Sequence, residues 1–235
     1  MVVSTCKAAF DAAQVPMPPL KFTVHNDIPY GCGCGSSSAA AVAGYVAGLA
    51  LLGQRLPACD DDEALLRVIA KLEGHPDNAA PAIYGGTQLG YTNEAKHVYT
   101  HRVPTPANLF IVLFIPSKLM KASTHVTRTL IPDTVRLPDA IHNISRTAML
   151  LLAFSTNNMS ILRNCSDVLH EQQRANALYP HYIPCAKCAR EAGAVYVFLS
   201  GAGPTVCAFV MGKHSEVQIQ PAHEHKAEEV AHAMV

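Results

Sequence analysis

Residues 28–53 read IPYGCGCGSSSAAAVAGYVAGLALLG. Glycine alternates with cysteine from Gly31 to Gly35, Ser36, Ser37 and Ser38 follow, and an almost wholly apolar run begins. Three readings compete: a metal site, a membrane segment, and a loop that holds an anion at the mouth of a helix. The apolar run from Ala39 to Leu52 is interrupted by Gly44 and Gly48. A bilayer crossing takes about 20 apolar residues, so the run is too short and reads as a buried, closely packed helix. Cys32 and Cys34, with Cys185 and Cys188 further on, invite a zinc reading. A structural zinc site needs four ligands at compatible spacing, and one CxC in a loop plus a CxxC on a helix do not supply it. The cysteines read as small apolar side chains.

The anion reading has a mechanism. Glycine leaves backbone N–H groups unobstructed, and the start of a helix adds partial positive charge. Ser36 to Ser38 are expected to cap the helix and to offer hydroxyls to a phosphate or to Mg²⁺. The spacing is neither that of the GxxxxGK[ST] loop nor that of the GxGxxG dinucleotide fingerprint. Upstream, LKFTVHNDIP alternates as a strand would, with Leu20, Phe22 and Val24 on one face, and Pro29 ends it. Further upstream, Val3 to Gln14 reads as a helix.

The totals bound the rest. The chain has 235 residues, 49% hydrophobic and 15% charged, which describes a folded chain with an ample core. Lys plus Arg and Asp plus Glu are 18 each, so no net field draws nucleic acid or an acidic membrane. Eight cysteines without a secretory start point to a reducing compartment, the cytoplasm.

A second helix is expected over residues 60–74, with acids from Asp60 to Glu63 at its start and Leu65, Leu66, Ile69 and Leu72 facing inward. Gly74 is its stop. Glu73 then sits where the helix dipole disfavours a carboxylate, and His75, Asp77 and Asn78 follow around Pro76. So many polar groups between two apolar elements suggest a site, although a solvated helix end with Asn78 as a cap reads almost as well. A short helix after Asn78 leads to a turn at Gly85–Gly86. The polar, proline-bearing stretch YTNEAKHVYTHRVPTPAN puts a boundary near Thr105, giving domains 1–105 and 106–235. LFIVLFIP opens the second as a strand. Helices are read at IHNISRTAMLLLAFS, NMSILRNCSDVLHEQ and CAKCAREAG. VYVFLS and VCAFV are strands joined by the tight turn GAGPT, and a helix at KAEEVAHAM closes the chain. Elements alternate without a βαβ period, which favours α+β layers.

Taken together these motifs resemble the GHMP family of small-molecule kinases. The family's P-x-x-x-G-x-G-S-S-A pattern is met from Pro29 through Ser37, and its late glycine motif by SGAGPT, Ser200 to Thr205. EGHPDNAAPAIYGG, Glu73 to Gly86, resembles the homoserine kinase branch, as do HNISRTAMLLLAFST and LHEQQRANALYPHYIP. The likeness runs from Val3 to the end.

It implies an α+β two-domain fold, ribosomal protein S5 domain 2-like at the N-terminus and ferredoxin-like at the C-terminus. It implies ATP-dependent phosphorylation of L-homoserine to O-phospho-L-homoserine, on the route to threonine. Pro29, Tyr30, Gly31, Cys32, Gly33, Cys34, Gly35, Ser36, Ser37 and Ser38 would wrap the ATP phosphates. Ser37 and Glu73 would hold Mg²⁺, with Ser36 as an alternate hydroxyl. His75, Asp77 and Asn78 would line the homoserine side, and Arg174 would take its carboxylate. Gly201 and Gly203 would close on phosphates and substrate. Glu73, Asp77 and Arg174 are thus the expected catalytic set, with Asp77 orienting rather than accepting a proton. The family is often dimeric, so a homodimer is an expectation.

Departures from the pattern are mild: Cys34 stands where Leu is usual, Ser38 for Ala, and Ala79 for Val. No counterpart of the family's first motif precedes the loop, and the chain stops where the family continues into a final strand. It therefore reads as truncated at both ends, with a plastid leader left open. Another GHMP small-alcohol kinase, such as a mevalonate type, and a nucleotide-binding fragment without turnover are the alternatives.

Overall fold

The computed structural model describes residues 1–54, 63–117, 127, 129–169, 171–212 and 226–235. They fall into two compact units, one of Met1–Tyr30 with Gly35–Val103, the other of Gly31–Cys34 with Pro104–Val235.

The first unit is mainly helical. Helix α1 (Val2–Ala12) packs on α2 (Ser36–Leu51) through the small residues of the quoted run. A Cβ on Gly44 would lie 2.2 Å from Thr5 Oγ1, and one on Gly48 would lie 2.7 Å from Ala9 Cβ. The two helices therefore meet backbone to backbone. Helix α3 (Ala64–Glu73) adds Leu66 and Ile69, both fully buried, worth about 2–3 kcal/mol each in removed apolar surface. The expected inner stripe needs one correction. Leu72 is exposed and Ala70 takes its place, because Leu65, Leu66, Ile69 and Ala70 form the continuous face. The acids Asp60 to Asp62 lie outside the described residues. Gly74 ends α3 with φ +82°, as its position suggests, and α4 (Ala79–Tyr84) follows.

Next comes an antiparallel hairpin that the sequence reading took for an irregular polar stretch. Its strands are β1 (Thr87–Thr92) and β2 (Val98–Val103), in register from Thr87 opposite Val103 to Thr92 opposite Val98. Asn93 closes its turn by accepting the His97 N–H at Oδ1, 2.8 Å away. The strand expected at residues 20–25 does not form. The segment is largely exposed, and among the described residues it has no ladder partner. Alternation alone cannot make a strand without a neighbour for its backbone groups.

The second unit is built on a three-stranded antiparallel sheet in the order β3 (Leu109–Phe114), β5 (Val206–Met211), β4 (Tyr196–Leu199). Strand β4 alternates between half-buried and buried positions, whereas the central β5 is buried along most of its length. Val197, Leu199, Val206, Ala208 and Val210 join one core with Tyr182, Cys185, Ala186 and Ala189 of α7 (Tyr182–Glu191) and Val230 of α8 (Lys226–Ala233). Tyr196, Phe198 and Phe209 cluster as well, and Phe209 meets Phe154 of α5 (Leu137–Thr156) with ring centroids 5.9 Å apart.

The helix expected through NMSILRNCSDVLHEQ is not continuous. A 3₁₀ turn covers Met159–Asn164, and α6 starts only at Glu171, running to Leu178. Asp167 marks the new start: its carboxylate accepts the N–H groups of Leu169 and Glu171 ahead of α6.

Candidate active site

Gly31, Gly33 and Gly35 have φ of +66°, +92° and +76°, while Cys32 and Cys34 between them do not enter that region. Such alternation turns successive N–H groups toward one side and makes a concavity for an anion. Helix α2 starts at once, and a Cβ on Gly35 would meet nothing within 4 Å, so its approach is open. The first-turn N–H groups of a helix have no intrahelical partner and add to the same positive end.

The serines do not cap α2 as expected. Gly35 is the N-cap and no side chain caps the helix. Instead the Ser37 hydroxyl donates to Glu73 Oε1 at 2.9 Å, and the Ser38 hydroxyl donates to Glu73 Oε2. A carboxylate at the unfavourable end of α3 is thus held by two donors from the favourable start of α2. One carboxylate with hydroxyl oxygens is a partial set of hard donors, of the kind Mg²⁺ completes with phosphate oxygens and water. Behind Glu73, His75 Nδ1 lies 2.5 Å from Asp77 Oδ1. That imidazole holds the Asp77 carboxyl below the usual carboxylate range. Asn78 precedes α4 without capping it through its side chain.

In the second unit the two glycine motifs, far apart in sequence, lie against each other. The Ser200 hydroxyl donates to Gly33 O at 3.0 Å, and the Thr205 N–H donates to Cys32 O at 3.2 Å. The turn is closed by Ser200 N–H to Thr205 O, 2.8 Å, and Gly203 N–H to Ser200 O, 2.9 Å. A Cβ on Gly33 would sit 2.3 Å from Ser200 O, and one on Gly203 would sit 2.4 Å from the Tyr179 ring, so neither position has room for a side chain. Three side chains brace the turn. Tyr179 OH donates to Ala202 O at 2.8 Å, His181 Nε2 donates to Pro204 O at 2.8 Å, and Arg174 Nη1 reaches Gly201 O at 3.5 Å. Arg174 is buried, and its Nε also donates to Thr127 O at 3.2 Å.

This arrangement has relatives. The pattern described as GHMP kinases N terminal domain matches residues 1–86, and that described as GHMP kinases C terminal matches residues 150–235. A homoserine kinase of Moorella thermoacetica is 40% identical over 212 residues, which are 90% of this chain and 69% of that protein. One of Thermus thermophilus is 40% identical over 191 residues, 81% of this chain and 62% of that one. The chain belongs to the homoserine kinase family. The crystal structure of a homoserine kinase from Cytophaga hutchinsonii superposes with a TM-score of 0.77 at 25% identity, covering 99% of this chain and 70% of that one. The α+β architecture is thus that of the GHMP kinases. Similarity to the Streptococcus pneumoniae phosphomevalonate kinase, TM-score 0.71 at 12% identity, shows the shared fold alone.

Two charged groups of this homoserine kinase family member lie in stretches that carry the family resemblance, Arg146 in HNISRTAMLLLAFST and Glu171 in LHEQQRANALYPHYIP, yet neither is given a role by the sequence. Glu171 is 5% exposed and accepts the Leu199 N–H at 3.1 Å, just before the braced turn. Burial pushes its carboxyl up to about 7. Arg146 lines a cavity of about 160 Å³ with Asn143, Thr147, Cys165, Asp167 and Tyr196. Its Nη1 donates to Ser145 Oγ at 3.0 Å, but its buried Nε has no hydrogen-bond partner among the described residues. Beyond that resemblance, each is locally just a charge inside an ordinary helical pattern.

Proposed function

We propose that this chain transfers the terminal phosphoryl group of ATP to the side-chain hydroxyl of L-homoserine, giving O-phospho-L-homoserine for threonine biosynthesis. One observation carries the reading: the Glu73 carboxylate is bonded to the hydroxyls of Ser37 and Ser38, at the start of the helix that follows the positive-φ glycine loop.

Phosphoryl transfer asks a protein chiefly for positioning and charge neutralisation. Backbone N–H groups of Pro29–Ser38, Pro29 itself excepted, hold the triphosphate, and the helix start adds its dipole. Ser37 and Glu73 would hold Mg²⁺, which when bound neutralises charge on the phosphate oxygens. On the acceptor side His75, Asp77 and Asn78 line the homoserine, and Arg174 offers a planar guanidinium suited to its α-carboxylate. Gly201 and Gly203 approach the ligands with bare backbone. Asp77 orients rather than accepts the proton. Its contact with His75 lowers its proton affinity, whereas an efficient general base has a pKa near the working pH.

Residues 1–105 and 106–235 serve as the N- and C-terminal domains of this kinase, working in the cytoplasm as a homodimer. Among the described residues no helix is long and apolar enough to cross a membrane.

The test is ADP release from Mg·ATP with a panel of alcohols, with ³¹P NMR of the product. Homoserine-dependent release with a phosphomonoester signal is the expected result. Turnover with mevalonate but not homoserine, or nucleotide binding with no turnover, overturns the proposal.

A further inference from the structure

The CxC of the glycine loop is left over by the kinase reading, which uses only its backbone. Cys32 Sγ and Cys34 Sγ are 3.6 Å apart, and neither is part of a disulfide. Cys32 is buried at 4% exposure, whereas Cys34 is partly exposed and its thiol also reaches Thr205 Oγ1 at 3.9 Å. One thiol thus meets solvent and the other waits behind it, the arrangement of an attacking and a resolving cysteine.

We propose that Cys32 and Cys34 form a thiol–disulfide exchange site whose oxidation by a low-molecular-weight disulfide weakens Mg·ATP binding reversibly. The effect on ATP rests on the function proposed above. The Cys34 thiolate attacks one sulfur of the small disulfide, forming a mixed disulfide and releasing one thiolate. Cys32 then gives up its proton and attacks the Cys34 sulfur, expelling the second thiolate. Two protein thiols are oxidised and one small disulfide is reduced to two thiols.

The product does not fit the loop as it stands. A disulfide bond is about 2.05 Å long, so the sulfurs must close most of the gap from 3.6 Å. The small ring so formed contains the backbone of Gly33. Gly33 is the residue with the least freedom to yield, because its α-carbon already faces Ser200 O and Gly203 O at distances that leave no room for a Cβ. Closing the ring therefore strains the Ser200–Gly33 and Thr205–Cys32 hydrogen bonds and turns the N–H groups around Gly33 away from a common focus. Burial first, and then the neighbouring Cys32 thiol, hold the Cys34 thiol above its ordinary value, so the exchange is run at mildly alkaline pH.

The full chain is incubated with oxidised glutathione or with dithiothreitol, remaining thiols are alkylated, and tryptic peptides are weighed. Cleavage after Lys21 and Arg55 gives a peptide of residues 22–55 that contains Cys32 and Cys34 and no other cysteine. Expected is a peptide lighter by two hydrogens than its reduced, unalkylated form. Mg·ATP binding by titration calorimetry should be weaker by roughly tenfold or more and restored by dithiothreitol. Cys34→Ser and Cys34→Ala, each compared with its own reduced form, should lose that response. A peptide that still takes up two alkyl groups after oxidation overturns the proposal. So does an internal disulfide that leaves Mg·ATP affinity unchanged. If the reduced chain does not bind Mg·ATP at all, the kinase reading falls, and the peptide mass alone decides the pairing.

Discussion

The α1–α2 contact and the Gly33–Gly203 contact are equally crowded and opposite in purpose. Gly44 and Gly48 would put a Cβ 2.2 and 2.7 Å from atoms of α1, and Gly33 and Gly203 would put one 2.3 and 2.4 Å from their neighbours. On α2 the backbone is ordinary helix and the missing side chain does one thing, letting two helices approach. In the turns the backbone has φ of +92° and +78°, and polar groups cross the contact. The same residue type therefore serves core packing in one region and the aiming of N–H groups in the other. Backbone conformation and polar partners distinguish them; crowding does not.

The comparison can be broken by changing one region at a time. The largest expected effect lies in the scaffold beneath the turn. The Glu171 carboxyl, at about 7 when folded against 4.5 as its ordinary value, keeps its proton in the native state between those pH values while the unfolded chain releases it. Stability should therefore fall as pH rises through that window, by about 3 kcal/mol in all, and stay low above it. Urea unfolding at several pH values should show that slope, and Glu171→Gln should flatten it. An unchanged slope would remove Glu171 from the account.

Gly33→Ala comes next. With no space and a positive φ, it should cost about 100-fold in kcat/KM, roughly 2.7 kcal/mol. Activity within twofold of the parent would mean that the turn contact is packing only. Gly48→Ala should do the reverse, lowering stability by about 1–3 kcal/mol through overpacking, with kcat/KM near the parent value at a temperature where the chain is folded. A loss of turnover in that folded variant would erase the distinction.

Glu73→Gln keeps an acceptor for one serine but removes the charge. It should lower kcat by at least about tenfold, or 1.4 kcal/mol, with an unaltered circular dichroism spectrum. Full activity in that variant would cancel the Mg²⁺ assignment. The smallest effect is expected at Arg174→Ala, which should raise the homoserine KM several-fold while kcat changes less. A stability loss with unchanged KM would instead make Arg174 a brace of the Gly201 turn, where its Nη1 already reaches the carbonyl.

Much of this was legible in the chain before any fold was known, because it is local. The helix after the glycine loop, the stop at Gly74, the sheet strands around GAGPT and the unusual position of Glu73 all follow from periodicity, end signals and dipoles. The hairpin at residues 87–103 was missed because its strands are mostly polar and half exposed, so they carry no apolar alternation. The strand at residues 20–25 was over-read for the opposite reason, a good pattern with no partner. Asp167 marks a new start within an expected helix through side-chain bonds that hydrophobic spacing does not encode.

What the sequence determined by itself, then, is which residue types stand at which local conformations: glycines where the loop must turn, hydroxyls at a helix start, an acid at a helix end. What only the tertiary structure decided is who meets whom. Ser37 and Ser38 spend their hydroxyls on Glu73 rather than on a cap, Gly33 lies under Ser200, and Glu171 is buried deeply enough to push its carboxyl up to about 7. The physical reason is range. Propensity and capping act over a few residues, whereas desolvation and long-range hydrogen bonds depend on packing between segments that are distant in sequence.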